Sequence, residues 1–152
     1  MRSREIVTGR TILVVFDHGE DFYDALNRTC RAHGIRQGYI PTFIAGLATA
    51  DLVGTCERLD NPDAPVWKKV HLTNIEALGG GTLAYDPDTD ALQPHIHLTV
   101  GLKAHGATAH TSHLLAATVQ FLTEMVIVEI AEPALRRVRQ PNLYDVPLLQ
   151  FP

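Results

Sequence analysis

The stretch "PHIHLTVGLKAHGATAHTSHL", residues 94–114, decides how the rest of the chain is interpreted. Its first half alternates strictly between aliphatic and polar side chains. Successive side chains of a strand point to opposite faces, so this pattern predicts a β-strand with one buried and one polar face. The aliphatic face holds Ile96, Leu98, Val100 and Leu102, and the polar face holds His95, His97 and Thr99.

Further strand patterns surround this one, and a single early helix precedes most of them. "RTILVVFD" at 10–17 is a buried-strand pattern, and "HGED" then turns the chain into a helix capped by Asp17 or Asp21. Gly34 is the expected C-terminal stop. Short β segments broken by glycine and proline follow from Gly38. We therefore expect an α+β domain with a largely antiparallel sheet.

Two short motifs allow a functional as well as a structural interpretation. Gly79, Gly80 and Gly81 inside a strand pattern predict a bulge, a sharp bend or close backbone packing. The alternative, a phosphate-binding loop, lacks the following helix and the Lys-Ser/Thr pair. "DPDTDA" at 86–91 predicts a turn between strands, because a calcium loop would need a glycine and a distal glutamate.

The C-terminal third of the chain is the least regular part. "LLAATVQFLTEMVIVEIAE", which ends at residue 132, predicts a helical turn that passes into a strand near 125–130. The tail, residues 132–152, contains three prolines after residue 140 and several large apolar residues. Such a tail is too hydrophobic to remain free in solvent, so we expect it to pack on its own body or on a neighbouring subunit.

Composition limits the classes of function. The 152 residues suit one domain, residues 1–152, and the net charge of −4 opposes nucleic-acid binding. The arginines at 136, 137 and 139 are interpreted as part of a solvated terminus. No apolar run is long enough to span a bilayer, so a cytoplasmic location is expected. Cys30 and Cys56 are interpreted as buried reduced thiols rather than a disulfide.

Five of the eight histidines fall within residues 94–114, which suggests a metal site. His95 and His97 share a strand face about 6.5 Å apart, a separation from which both imidazoles can reach one zinc ion. His113 is the third candidate, and His110, three residues earlier on an expected helical turn, is a spare. Three neutral histidines with an open fourth position are typical of catalytic rather than structural zinc.

Other groups would have to complete such a site. Glu124, Glu129 and Asp51 are candidates to orient the histidines, and Glu124, Asp51 or a neighbouring subunit would supply a general base. The alternatives to a metal site are a pH-sensing cluster, a catalytic base or a chance grouping. His18, His33 and His71 are isolated and are interpreted as surface or core histidines.

The chain resembles the PPC domain shared by plants and prokaryotes, also known as domain of unknown function 296. The resemblance covers about residues 8–131. It is carried by Gly19-Glu20-Asp21, by "FIAGLATADL", by "IEALGGGTLAYD", by the His95-x-His97 strand and by "TSHL" ending at Leu114. The family has Gly-Gly-His-Leu at the last position, where this chain has Thr111 and Ser112 before His113.

The resemblance implies an antiparallel sheet flanked by helices, a homotrimer, and a metal site, usually zinc, on His95, His97 and His113. The first hypothesis is therefore a trimeric zinc protein, with hydrolase or lyase chemistry on a small molecule if it is an enzyme. The second is a non-catalytic oligomerising interaction module. The third is DNA association, as in plant relatives that carry AT-hooks, although this chain has no AT-hook. The substrate is not indicated.

Overall fold

The computed structural model describes residues 1–55, 67–86, 88–102, 105 and 108–152, without the side chains of residues 55 and 67. Seven strands, one α-helix and a short 3₁₀ turn make up the secondary structure of these residues. Along the chain they are β1 (Val7–Asp17), α1 (Phe22–His33), β2 (Gly38–Thr55), β3 (Trp67–Asp86), β4 (Ala91–Leu102), β5 (Ala109–Glu132), β6 (Arg136–Gln140), the turn (Pro141–Leu143) and β7 (Val146–Gln150).

The main sheet is antiparallel and closes into a barrel-like shape. Its strand order is β1-β5-β2-β3-β4, and β4 also pairs with the beginning of β5. The predicted antiparallel sheet is confirmed, but the expected α+β class with flanking helices is not. The described chain is mostly β with one α-helix, because the patterns after Gly38 pair as long strands.

The helix α1 follows the local sequence signals. Asp21 caps its N-terminus, since the carboxylate accepts hydrogen bonds from the backbone N–H groups of Tyr23 (3.0 Å) and Asp24 (2.9 Å). Gly34 ends the helix with a φ of 65°, a left-handed conformation that glycine adopts without strain. The buried face of the helix then packs onto β1 and β5. It comprises Phe22, Ala25, Leu26 and Cys30.

Strands β2 and β3 are continuous where the sequence predicts breaks. Pro41 lies between Ile40 and Phe43, where the register of β2 with β3 shifts. A shift of this kind accommodates a residue that cannot donate to the ladder. The glycines at 79–81 lie within β3 and pair with β4 throughout. Close backbone packing, one of the predicted alternatives, therefore describes this run.

The helical turn predicted around His110 and His113 is wrong. Both residues lie on β5, where His113 pairs with His97 and His110 pairs with Val100. Strand pairing overrides the local helical spacing, because the start of β5 has a neighbouring strand on each side, β4 and β2. Histidines three residues apart on a strand point to opposite faces, so they do not share a site.

The barrel interior is filled by aliphatic and aromatic side chains. Three aromatic rings contact one another in sequence, edge to face for Phe16–Phe22 (centroids 5.6 Å apart) and tilted for Phe22–Phe43 (5.3 Å). Gly79 makes room for them, since a Cβ atom there would lie 2.6 Å from Cε1 of Phe43. The buried side chains of β3 and β4, among them Leu83, Ile96 and Leu98, thus position both strands against this interior.

The tail packs against its own barrel. The strands β6 and β7 form a hairpin, and Leu149 and Phe151 contact a small cluster of Ala84, Ile130 and Leu135. The hairpin thereby lies beside β3, which pairs with the part of β4 that carries His95.

Several sequence predictions concern other parts of the chain. Cys30 is a buried free thiol whose pKa burial raises to about 11, whereas Cys56 lies outside the described residues. The turn predicted at 86–91 is present at Asp88–Asp90, apart from Pro87, which is not described. None of the helices in the described ranges is both long and apolar enough to cross a membrane.

An ion pair between β1 and β5 predicts how stability responds to acid. The Arg10 guanidinium donates two 2.9 Å hydrogen bonds to Glu129 and holds the pKa of that carboxyl at about 2, below the ordinary 4.5. A carboxyl group whose pKa is lower in the folded than in the unfolded state stabilises the fold at pH values above its unfolded-state pKa. This stabilisation is lost as the pH falls through the folded-state pKa. Glu129→Gln is therefore expected to lower Tm by a few degrees at most at neutral pH, because exposed pairs contribute little.

The difference in Tm between Glu129→Gln and the wild type should disappear between pH 4.5 and 2. Thermal unfolding followed by circular dichroism across that range measures it. Glu132→Gln, at the exposed end of the same strand, is the control and should follow the wild type. A difference that persists unchanged at pH 2 would contradict the role assigned to the pair.

Candidate metal centre

Three histidines meet on the outer face of the barrel. His95 and His97 lie on β4, and their neighbours Ile96 and Leu98 point into the core. His113 lies on β5 directly opposite His97. The alternation of β4 and the pairing of β4 with β5 therefore place all three imidazoles on one side of the sheet.

The three rings are close enough to share an ion. Each offers a ring nitrogen, and these three nitrogens lie within 4.8 Å of one another. Nε2 of His95 and Nε2 of His97 are 3.1 Å apart. Two nitrogens bound to one tetrahedral zinc at about 2.0–2.1 Å would be about 3.3 Å apart. The donor set and its spacing therefore fit zinc with small side-chain adjustments.

The surroundings favour the neutral imidazoles that a metal requires. Partial burial, followed by the charge of Arg137 and the other two histidines, lowers the pKa of His95 to about 4. Burial, His97 and Arg137 likewise lower the pKa of His113. Histidine binds metal only in its neutral form, and these shifts favour that form for His95 and His113.

The position of His113 is fixed from both sides. The next residue, Leu114, is buried, and its carbonyl accepts a 2.6 Å hydrogen bond from the hydroxyl of Tyr23 on α1. The preceding residue, Ser112, donates a hydrogen bond to the carbonyl of Val53 on β2. A ligand held between two anchored neighbours loses little entropy on binding.

The Thr111-Ser112 pair fits the strand where the family has two glycines. Neither residue has a positive φ, so the backbone here is one that any side chain adopts. Thr111 Oγ1 lies 2.8 Å from Thr99 Oγ1 across the β4–β5 pair. The substitution therefore leaves His113 in place beside His97.

The other histidines lie elsewhere. His110 is exposed and pairs with Val100 on the opposite face from His113, so the structure does not bring this spare ligand to the cluster. His71 contacts Asp51, and His18 accepts a hydrogen bond from the backbone of Phe121.

The candidate bases do not contact the cluster. Asp51 accepts hydrogen bonds from Lys69 (2.7 Å) and His71 (2.6 Å), which lower its pKa and make it a weaker base. Glu124 pairs with Ile44 of β2, which pairs with Leu78 of β3, so two strands separate this carboxylate from β4 and its histidines. Glu129 is bonded to Arg10. None of these three carboxylates orients a histidine of the cluster.

Arg137 is the residue at the site that sequence reasoning missed. Instead of extending into solvent, it is half-buried and donates a 2.6 Å hydrogen bond to Oγ1 of Thr82 and a 3.1 Å bond to the carbonyl of Gln93. Thr82 pairs directly with His95. The sequence held no signal for this placement, because it depends on where the tail hairpin folds back.

With this geometry established, comparison with known proteins identifies the family. Residues 3–131 match the sequence pattern of the Plants and Prokaryotes Conserved (PCC) domain. The chain belongs to this family. The resemblance to the PPC domain, the same family, is thereby confirmed, and it covers most of the chain.

Solved structures share the fold of this PPC chain at low identity. A metal-containing protein from Archaeoglobus fulgidus is 19% identical with a TM-score of 0.80, and each chain is covered to 99%. A plant- and prokaryote-conserved protein from Pyrococcus horikoshii is 20% identical with a TM-score of 0.79, covering 99% of this chain and 97% of the other.

A presumed DNA-binding protein from Bacteroides thetaiotaomicron is 20% identical with a TM-score of 0.74, covering 97% of this PPC chain and 96% of the other. No curated protein matches the chain. At such identities the comparisons establish the fold, and the chemistry has to be argued from the residues.

Proposed function

We propose that this protein is a homotrimeric metalloprotein that binds one zinc ion per chain through His95, His97 and His113. The convergence of the three imidazoles carries the proposal, since their nitrogens lie within 4.8 Å of one another on paired strands. The metal content attributed to the Archaeoglobus fulgidus relative agrees with it.

The donor set favours zinc and leaves a position open. Neutral imidazole nitrogen suits zinc among the common cellular metals, and three histidines leave the fourth tetrahedral position free. Zinc held this way polarises a carbonyl or acidifies a water, which would support hydrolase or lyase chemistry on a small molecule. The chain itself favours the neutral form of His95 through burial, which lowers its pKa, and fixes His113 through its anchored neighbours.

An apolar patch on the outside of the sheet supports self-association. We call it the outer apolar face, defined by Leu13, Val15, Ile44, Leu78 and Leu122, all of them exposed. Ile44 pairs directly with Leu78, and Glu124 lies between Val15 and Ile44. A group of exposed large aliphatic side chains is typical of an interaction surface, and a second copy of the chain would cover it.

Metal analysis tests the zinc site. Untagged wild-type protein after exhaustive dialysis is expected to contain about one zinc per chain, and His97→Ala is expected to contain almost none. Mutation of a residue that only hydrogen-bonds to a metal ligand typically weakens metal binding by about 10- to 100-fold. Loss of one of the three ligands themselves should weaken zinc binding by more than this. Elemental analysis and competition with a chromophoric chelator measure both values.

His110→Ala is the matched control, because His110 lies on the same strand as His113 but faces away from the cluster. It should retain zinc at the wild-type level. Wild-type protein that neither contains zinc nor takes it up would contradict the proposal and favour a non-catalytic oligomerising module.

DNA association is the remaining alternative, and charge opposes it. The chain has a net charge of −4, and four arginines of the described chain are each paired with a carboxylate. These are Arg10, Arg28, Arg36 and Arg139. Duplex binding that weakens steeply as salt rises would support this alternative.

A further inference from the structure

Arg137 places a positive charge beside His95, one of the three clustered histidines. Its Nη2 donates to Oγ1 of Thr82 and its Nε donates to the carbonyl of Gln93. Thr82 pairs with His95, and Gln93 lies two residues before His95 on β4. The guanidinium is therefore held against the outer face of the sheet at His95.

The charge of Arg137 has no counter-ion among the residues that the structure describes. Within the described ranges, no carboxylate forms an ion pair with Arg137, whereas the exposed Arg139 on the same strand pairs with Asp145. Partial burial lowers the pKa of Arg137, as expected for a guanidinium that is partly removed from water.

A half-buried cation beside a cation-binding site is unfavourable unless an anion joins them. Charges removed from water are costly unless they are paired, and a divalent ion at the histidines would add repulsion. The hydrogen bonds to Thr82 and Gln93 use Nε and Nη2, and Nη1 makes no hydrogen bond to any described residue. Arginine's planar donors match a carboxylate or phosphate group.

We propose that Arg137 and the metal held by His95, His97 and His113 together bind a small oxyanion, so that the substrate of this site carries a carboxylate or phosphate group. This inference rests on the proposed metal site. It assigns Arg137 as the specificity-determining residue and Thr82 as the group that positions it. The bound anion would then balance both positive charges, that of the Arg137 guanidinium and that of the metal ion at the histidines.

Cobalt(II)-loaded protein provides a test that does not depend on knowing the reaction. Bound cobalt has a visible absorption spectrum that changes when an anion enters the open position. The probes are L-lactate, inorganic phosphate and the neutral amide of lactate. Lactate or phosphate should shift the wild-type spectrum saturably and the amide should not, and the tighter of the two anions identifies the chemical source.

Three variants separate recognition by Arg137 from a structural role. Arg137→Gln is expected to weaken anion binding by at least about tenfold while elemental analysis shows unchanged cobalt content. Arg137→Lys, which keeps the charge but loses the planar donors, should fall between Arg137→Gln and the wild type. Arg139→Gln, on the same strand, should bind anions like the wild type.

The outcomes distinguish the two proposals. Failure of the wild type to bind cobalt would overturn the metal site and this inference with it. The anion site alone would be overturned if neither anion changed the spectrum of the cobalt-loaded wild type. It would also be overturned if the Arg137 variants bound the anions with wild-type affinity. A purely structural role would lower Tm in Arg137→Gln without changing the anion affinity of the folded protein, and Arg137→Lys repeats that comparison if Arg137→Gln does not fold.

Discussion

Leu78→Asp is expected to convert the proposed trimer into monomers. Leu78 is 57% exposed and lies at one end of the outer apolar face, where it pairs with Ile44 of that face and with Thr99 beyond it. A carboxylate buried there against a second copy would lose its hydration without gaining a partner, and Glu124 already lies in the same row of residues. Size-exclusion chromatography with light scattering would measure the expected threefold fall in the molar mass of the protein in solution.

Leu143→Asp is the control for this change. Leu143 is 38% exposed but lies in the 3₁₀ turn of the tail, outside the outer apolar face. This variant should keep the mass of the wild type. A monomeric wild type would show that the trimer is wrong, and a trimeric Leu78→Asp would show that another surface forms the interface.

Phe43→Ala should produce the largest loss of stability among the substitutions considered. The Phe43 side chain is 1% exposed, contacts Phe22 and occupies the space left open by Gly79. Truncating a fully buried phenylalanine typically lowers the free energy of unfolding by about 3–5 kcal/mol. For a chain of 152 residues this corresponds to a fall in Tm of about 6–20 °C.

A double-mutant cycle ties that loss to the contact with β3. Gly79→Ala alone should destabilise the protein, because the new Cβ would overlap the Phe43 ring. Part of that destabilisation should disappear in the Phe43→Ala background. The rest should remain, because the new Cβ atom would still lie 2.7 Å from the carbonyl oxygen of His97. Denaturant unfolding at matched protein concentration measures all four proteins, and strictly additive effects would contradict the proposed contact.

The features that the sequence predicted correctly depend on neighbours along the chain. Asp21 and Gly34 bound the helix because caps act within one turn of it. His95 and His97 share a face because a strand alternates with a period of two. The family followed from five motifs in a fixed order, and the match over residues 3–131 confirms it.

The sequence misled us where local spacing competed with pairing between strands. His110 and His113 have helical spacing, but β4 and β2 pair with this segment and hold it extended. Pro41 and Gly46 look like breaks, yet β2 runs through both, with the proline accommodated at a register shift. The expected α+β class failed for the same reason.

The sequence by itself therefore determined the helix, the two-histidine strand face and the family to which the chain belongs. Only the tertiary structure decided that His113 lies opposite His97, that Arg137 returns from the tail to His95, and that β2 and β3 separate Glu124 from the histidines on β4. Caps and alternation are set by residues within a few positions of one another. Register and closure depend on which distant strands bury their aliphatic faces together, and no short stretch of sequence contains that information.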